Sequence, residues 1–157
     1  MLLHSAERRV LNGVHATLGI VVLCANALAA GWGGVAWLRG DPSVWFWYLL
    51  RVAQVVVVAQ VALGMWLLIS GNQPEDELHY LYGVAILGVT MVSEGMRVGA
   101  AQRELDEVED VEALDRAEQG ALARRVVLRE MGVMTIGTLL VVTLALRAGA
   151  SAGGFGI

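Results

Sequence analysis

Gln60-Val61-Ala62-Leu63-Gly64-Met65-Trp66-Leu67-Leu68-Ile69 and Leu78-His79-Tyr80-Leu81-Tyr82-Gly83-Val84-Ala85-Ile86 are the two stretches that decide the fold. The first closes a long apolar segment and the second opens another, with only Gly71-Asn72-Gln73-Pro74-Glu75-Asp76-Glu77 between them. A link this short can do little more than reverse the chain, so the two segments pack as antiparallel neighbours. The histidine at the mouth of the second segment stands out. An ionisable side chain at the edge of a membrane helix costs free energy and marks a candidate site by default.

Working outward, the composition agrees with a membrane chain. Of 157 residues 57% are hydrophobic and only 17% are charged, and the mean hydropathy is +0.62. Spanning a bilayer takes about 20 apolar residues. Four segments qualify, at about 12–38, 44–70, 78–100 and 124–147. The expected fold is therefore an all-α membrane protein, one domain over 1–157, built as an up-down bundle of four transmembrane helices. Arg8-Arg9, the apolar run and Ala25-Asn26-Ala27 loosely mimic a signal peptide, but the run continues past that point to Leu38, so it is expected to remain as the first span.

Charge is segregated. Glu104, Asp106, Glu107, Glu109, Asp110, Glu112, Asp115 and Glu118 crowd one segment, 99–123, against Arg103 and Arg116. Leu105, Val108, Val111 and Leu114 recur every three residues through it, which predicts a helical acidic extension between helices 3 and 4 that breaks near Gly120. Its charge suits a solvated face or a basic partner. All 11 cations are Arg, and with no basic face nucleic-acid binding has no support. Cys24 is the only cysteine, which excludes an internal disulfide, a Cys-x-x-Cys-His attachment and a cysteine zinc site.

Arg8, Arg9 and Arg147 share the side that holds both termini, whereas Arg39, Arg97, Arg103, Arg116, Arg124, Arg125 and Arg129 lie toward the other. The positive-inside rule makes the latter side cytoplasmic and puts both termini outside the plasma membrane. Arg39-Gly40-Asp41-Pro42-Ser43 reads as a tight turn with Pro42 opening the second helix, and Trp45, Trp47 and Tyr48 read as an interfacial aromatic belt.

With this topology helices 1 and 3 run parallel. His15 and His79 then sit at nearly one depth, a few residues inside the outer face. Each is followed four residues later by glycine, as Val14-His15-x-x-x-Gly19-Ile20 and Leu78-His79-x-x-x-Gly83-Val84. Two neutral imidazoles at one depth in an apolar bundle suit axial ligation of a haem iron, and Gly19 and Gly83 would clear space for the flat macrocycle. No carboxylate sits beside either histidine inside the helices, which disfavours another metal. Arg8 lies seven residues before His15, on the same helical face and about 10 Å further out. Arg8 or Arg9 could meet a propionate. Toward the other end, Arg51 and Glu94 read as an ion pair at a depth shared with Arg97, Arg129 and Glu130, and the same groups could serve a proton or quinone site. Gln54 and Gln60 are expected to hydrogen-bond across the bundle.

Gln60-x-x-Leu63-Gly64, its short loop and Leu78-His79 resemble one four-helix half of the haem A synthase family, over roughly residues 12–95. The resemblance implies haem ligation by His15 and His79 and helix packing by Gln60 and Gly64. The chain departs from the family's Glu-x-x-His-Arg, having Asn12-Gly13-Val14-His15-Ala16, and lacks its outer cysteine pair and second half. What the resemblance carries over is haem binding rather than haem A synthesis. Cytochrome b561-like bundles are similar in architecture alone.

The expectation is a bilayer protein holding one haem b through His15 and His79. It would serve electron transfer or haem handling rather than act as a stand-alone enzyme, as a subunit of a respiratory or other membrane complex or as a homo-oligomer. The alternative is a cofactor-free accessory subunit of a larger membrane assembly.

Overall fold

The structure is a computed structural model that describes residues 2–71 and 78–151. The acidic link Asn72–Glu77, read above as a reversal of the chain, and the end from Ala152 to Ile157 lie outside the described residues. Four helices make up the fold: α1 (Leu2–Leu38), α2 (Val44–Ile69), α3 (Leu78–Asp106) and α4 (Arg116–Ser151). Each contains a window apolar enough to cross a bilayer. The protein is a four-helix membrane bundle.

The helices run past the apolar spans. At 1.5 Å per residue the 37 residues of α1 extend about 55 Å, well beyond a hydrocarbon core of about 30 Å. In the acidic segment α3 continues to Asp106, residues 107–115 form turns, and α4 begins at Arg116. The helix break therefore falls before Gly120, which lies inside α4, and the three-residue apolar stripe does not form a continuous helical face. The reason is local capping. Asp115 Oδ1 accepts from the backbone N–H groups of Ala117 and Glu118, and Glu118 Oε2 accepts from the Asp115 N–H. This reciprocal capping box satisfies the first orphan donors of α4. Asp110 Oδ1 likewise takes the N–H groups of Glu112 and Ala113, which favours a turn over a helix.

The first turn is closed by Gly40, whose φ of 69° is left-handed. Its N–H reaches Trp37 O, and the Asp41 N–H reaches Ala36 O, which ends α1 in a Schellman arrangement. Ser43, with Pro42 just outside it, is the residue that caps α2. Arg124 donates twice to Gly40 O, at 3.2 and 2.6 Å, and so ties this turn to α4.

In section the bundle is a ring, with α1 against α2, α2 against α3, α3 against α4 and α4 against α1. The α2–α3 side is the narrowest contact, and α4 is the most buried helix. Consequently α1 and α3 face each other across the diagonal. Lipid offers no hydrophobic drive to helix association, so close packing through small residues has to supply it. A Cβ on Gly33 would enter the Phe46 ring, one on Gly132 would lie 2.7 Å from Trp37 Cε2, and one on Gly137 would collide with Ser93. Val22, Val57, Ile86, Val141 and Ala145, drawn from all four helices, form one buried layer. Phe46, Leu50, Met131 and Met134 form a second, nearer the cytoplasmic end predicted above.

Candidate functional site

Val22 and Ile86 each lie seven residues after a histidine, so two helical turns outward from the four-helix layer come His15 and His79. Their ring centroids are 5.9 Å apart, with an interplanar angle of 66°. The sequence-based pairing across parallel helices is thus a real proximity. It spans the diagonal of the ring, with α2 and α4 on either flank.

Each flank holds one nitrogen. From α2, the Gln60 amide Nε2 is 3.3 Å from His15 Nε2. From α4, the Ala148 carbonyl oxygen is 3.3 Å from His79 Nδ1, which donates to it. That bond fixes the proton on Nδ1 and leaves Nε2 of His79 with its lone pair. His15 Nδ1 is buried and has no hydrogen-bond partner, and Gln60 Oε1 is in the same condition. Ligating histidines characteristically have one ring nitrogen held by a carbonyl or amide and the other presented to the metal. His79 has that arrangement; His15 as placed does not, because the Gln60 amide nitrogen can only donate to His15 Nε2, which puts the proton of the neutral ring on the unpartnered Nδ1.

The glycines divide into two kinds. A Cβ on Gly64 would lie 3.1 Å from His15 Cε1, so Gly64 is the seat of the His15 ring. Gly19 sits under the Gln60 amide, where a Cβ would be 3.4 Å from its nitrogen. Gly83 faces open space, with nothing within 4 Å of where a Cβ would stand. Of the residues singled out by sequence, then, His15 and His79 come together, Gly19 joins them through Gln60, and Gly83 makes no contact with them among the described residues. Arg8 and Arg9 are exposed on α1, and no contact joins either to the pair among the described residues.

Sequence reading missed three contributors. Ala148 acts through its backbone, which no side-chain pattern could reveal. Tyr82 and Arg147 meet beside His79, with the guanidinium 5.9 Å from the centre of the Tyr82 ring and its Nη2 3.5 Å from the hydroxyl. The signal was present, because Arg147 is the only cation on the outer part of α4, but it entered the reading only as a marker of orientation.

The donor set is informative. Among the described residues no group of three or more His, Cys, Asp or Glu could hold a metal ion. Two imidazoles suffice only for a metal that brings its remaining donors with it, as a porphyrin does. The two rings lie at an ordinary edge-to-face distance of 5.9 Å, and His15 and His79 are the residues that would hold such a group.

The opposite end is built from charge. Glu94 accepts from Arg51 (2.6 Å), Gln54 (2.7 Å) and Arg97 (2.8 Å), and Arg97 also donates to Glu130 at 2.9 Å. Trp47 lies under Arg97, 5.7 Å from its guanidinium carbon. Further along α3, Glu104 is 5% exposed and is shared by Arg129 at 2.7 Å and Arg125 at 3.5 Å. The Arg51–Glu94 pair is as the sequence suggested, and every charge in the network has an opposite neighbour. Comparison with protein-family models, with curated proteins and with solved structures found no match for this chain.

Proposed function

We propose that this protein is a membrane haem protein in which His15 and His79 are the axial ligands of one b-type haem near the outer face of the plasma membrane. Its work is electron transfer or haem handling within a larger membrane assembly, with both termini outside. The observation that carries this reading is the 5.9 Å spacing of the two imidazoles across the bundle diagonal. The Ala148 carbonyl on His79 Nδ1 supports that role for His79, as does the resemblance of the Gln60–Gly64 and Leu78-His79 motifs to haem A synthases.

A haem held there supplies one-electron chemistry at its iron. The chain does the rest. Ala148 accepts from His79 Nδ1, the Gln60 amide lies against His15 Nε2, and Gly64 and Gly19 allow the His15 and Gln60 side chains to lie close to the helices. The apolar layer of Val22, Val57, Ile86 and Val141 closes the inner side against water.

The test is a dithionite-reduced minus oxidised absorption spectrum of the detergent-purified protein supplied with haem. Sharp b-type bands at about one haem per chain, lost in both His15→Ala and His79→Ala, are expected. A featureless wild-type spectrum would overturn the reading and leave a cofactor-free accessory subunit as the better account.

A further inference from the structure

We propose that the cleft between α1, α3 and α4 at the charged end binds the headgroup of a phospholipid that carries a primary amine. Arg125 and Arg129 take its phosphate, and Glu107 takes its ammonium. None of these residues takes part in the haem reading.

The cleft has a volume of about 400 Å³ and is lined by Trp37, Glu104, Glu107, Arg125, Leu128 and Arg129. Glu104 is its buried charge, 5% exposed. It is met by Nε of Arg129 at 2.7 Å and by Nε of Arg125 at 3.5 Å. Four residues apart on α4, the two guanidinium groups share one face of the helix. Each is thus anchored through its Nε edge, yet both remain more than half exposed. Two cations that share one carboxylate keep a positive charge in excess, and the exposed part of each planar fork is open to a second oxyanion. A phosphate, with several oxygens to spread over two forks, suits that pair best.

The surroundings favour a lipid over a soluble phosphate. Trp37 is seated on α4 at Gly132, where a Cβ would lie 2.7 Å from its Cε2, and it stays 39% exposed. With Trp45, Trp47 and Tyr48 at the start of α2, it sets the cleft at the level where aromatic side chains meet the bilayer surface. Leu128 adds an apolar wall, and basic pockets between spanning helices are recurrent seats for lipid headgroups.

Glu107 selects among those headgroups. It is exposed, lines the same cleft and has no ion-pair partner among the described residues. Residues 72–77 lead into α3 about 39 Å of helix away from Glu104, and residues 152–157 follow Ser151, about 33 Å along α4 from Arg129. With Glu107 the lining holds two cations and two carboxylates, a pattern that a zwitterion complements. A primary ammonium can donate hydrogen bonds to a carboxylate, and a quaternary one cannot.

The experiment titrates the detergent-purified full chain with dioleoylphosphatidylethanolamine or dioleoylphosphatidylcholine and counts bound lipid by native mass spectrometry. The two lipids share phosphate and acyl chains, but the second has a methylated nitrogen with no hydrogen to donate. The wild type should prefer the ethanolamine lipid by about tenfold, the size expected for one hydrogen bond between charged groups. Glu107→Ala should remove that preference and still bind both lipids. Arg129→Gln should weaken both by about tenfold, Arg129→Lys should recover part of the loss, and Arg116→Gln, outside the cleft, should change neither. Glu107 and Arg129 are exposed, so their replacement leaves the packing intact. An unchanged preference in Glu107→Ala, undiminished binding by Arg129→Gln, or no saturable binding of either lipid to the wild type would overturn the proposal. Competition by free O-phosphoethanolamine at the same concentration as the lipid would also overturn it, by making the ligand a soluble headgroup.

Discussion

The two ends of this bundle spend polar groups in opposite ways. At one end Arg51, Glu94, Arg97 and Glu130 alternate in sign and close on one another, and Glu104 is held between Arg125 and Arg129. At the histidine end His15 Nδ1, Gln60 Oε1 and Tyr80 Oη are buried without a partner, and in the layer nearer the charged end so is Thr135 Oγ1. A satisfied network in a membrane is a structural solution, because the alternative is an unpaired charge in hydrocarbon. Unsatisfied buried atoms call for another explanation, such as strain, a bound water or a ligand.

The sharpest way to break this contrast is to exchange substitutions between the ends. His15→Ala or His79→Ala should abolish bound haem, as read in the difference spectrum. Glu94→Gln lies fifteen residues from His79 on α3, about 22 Å away, and should leave haem content unchanged. Loss of haem in Glu94→Gln at preserved helicity would mean that the ends are coupled. Next in size is packing. Gly137→Val would drive a side chain into Ser93, and overpacking of that kind costs about 1–3 kcal/mol. Thermal unfolding in detergent should show it, and an unchanged transition would mean that α3 and α4 are less closely joined than described.

Glu104→Gln removes a charge shared by two arginines that are themselves 56% and 66% exposed. Because those guanidinium groups can rehydrate, the loss should be about 1–2 kcal/mol, again by thermal unfolding. The smallest effect on stability should come from Gly83→Ala. With nothing within 4 Å of the new methyl, better helix propensity should add about 0.5–1 kcal/mol. The same methyl enters the flank assigned to the macrocycle, so haem affinity should fall while stability rises. If both rise, Gly83 does not border the ligand.

These contrasts were only partly legible in the residues. The pairing of Arg51 with Glu94 could be read from matching depths on neighbouring helices, and so could the meeting of His15 with His79. The role of Glu104 could not. It sits in a run of acids that looks uniformly solvated, yet it turns back onto Arg125 and Arg129 while Glu107 and Glu109 stay exposed. Gln60 was legible as a residue that bonds across the bundle, but not as the partner of His15. The break at 107–115 was hidden by a three-residue apolar repeat that local Asp110 and Asp115 capping overrode.

By itself the sequence determined four membrane spans, their up-down order and the common depth of the two histidines. Apolar length, short links and a rise of 1.5 Å per residue are properties of the chain alone. The tertiary structure decided which faces meet. It set α1 diagonal to α3, put Gln60 and Ala148 on the flanks of the histidines and placed Arg147 over Tyr82. Those choices depend on how small residues such as Gly33, Gly132 and Gly137 let particular helices approach. The rotation of a helix about its axis is settled by such contacts and not by any local pattern.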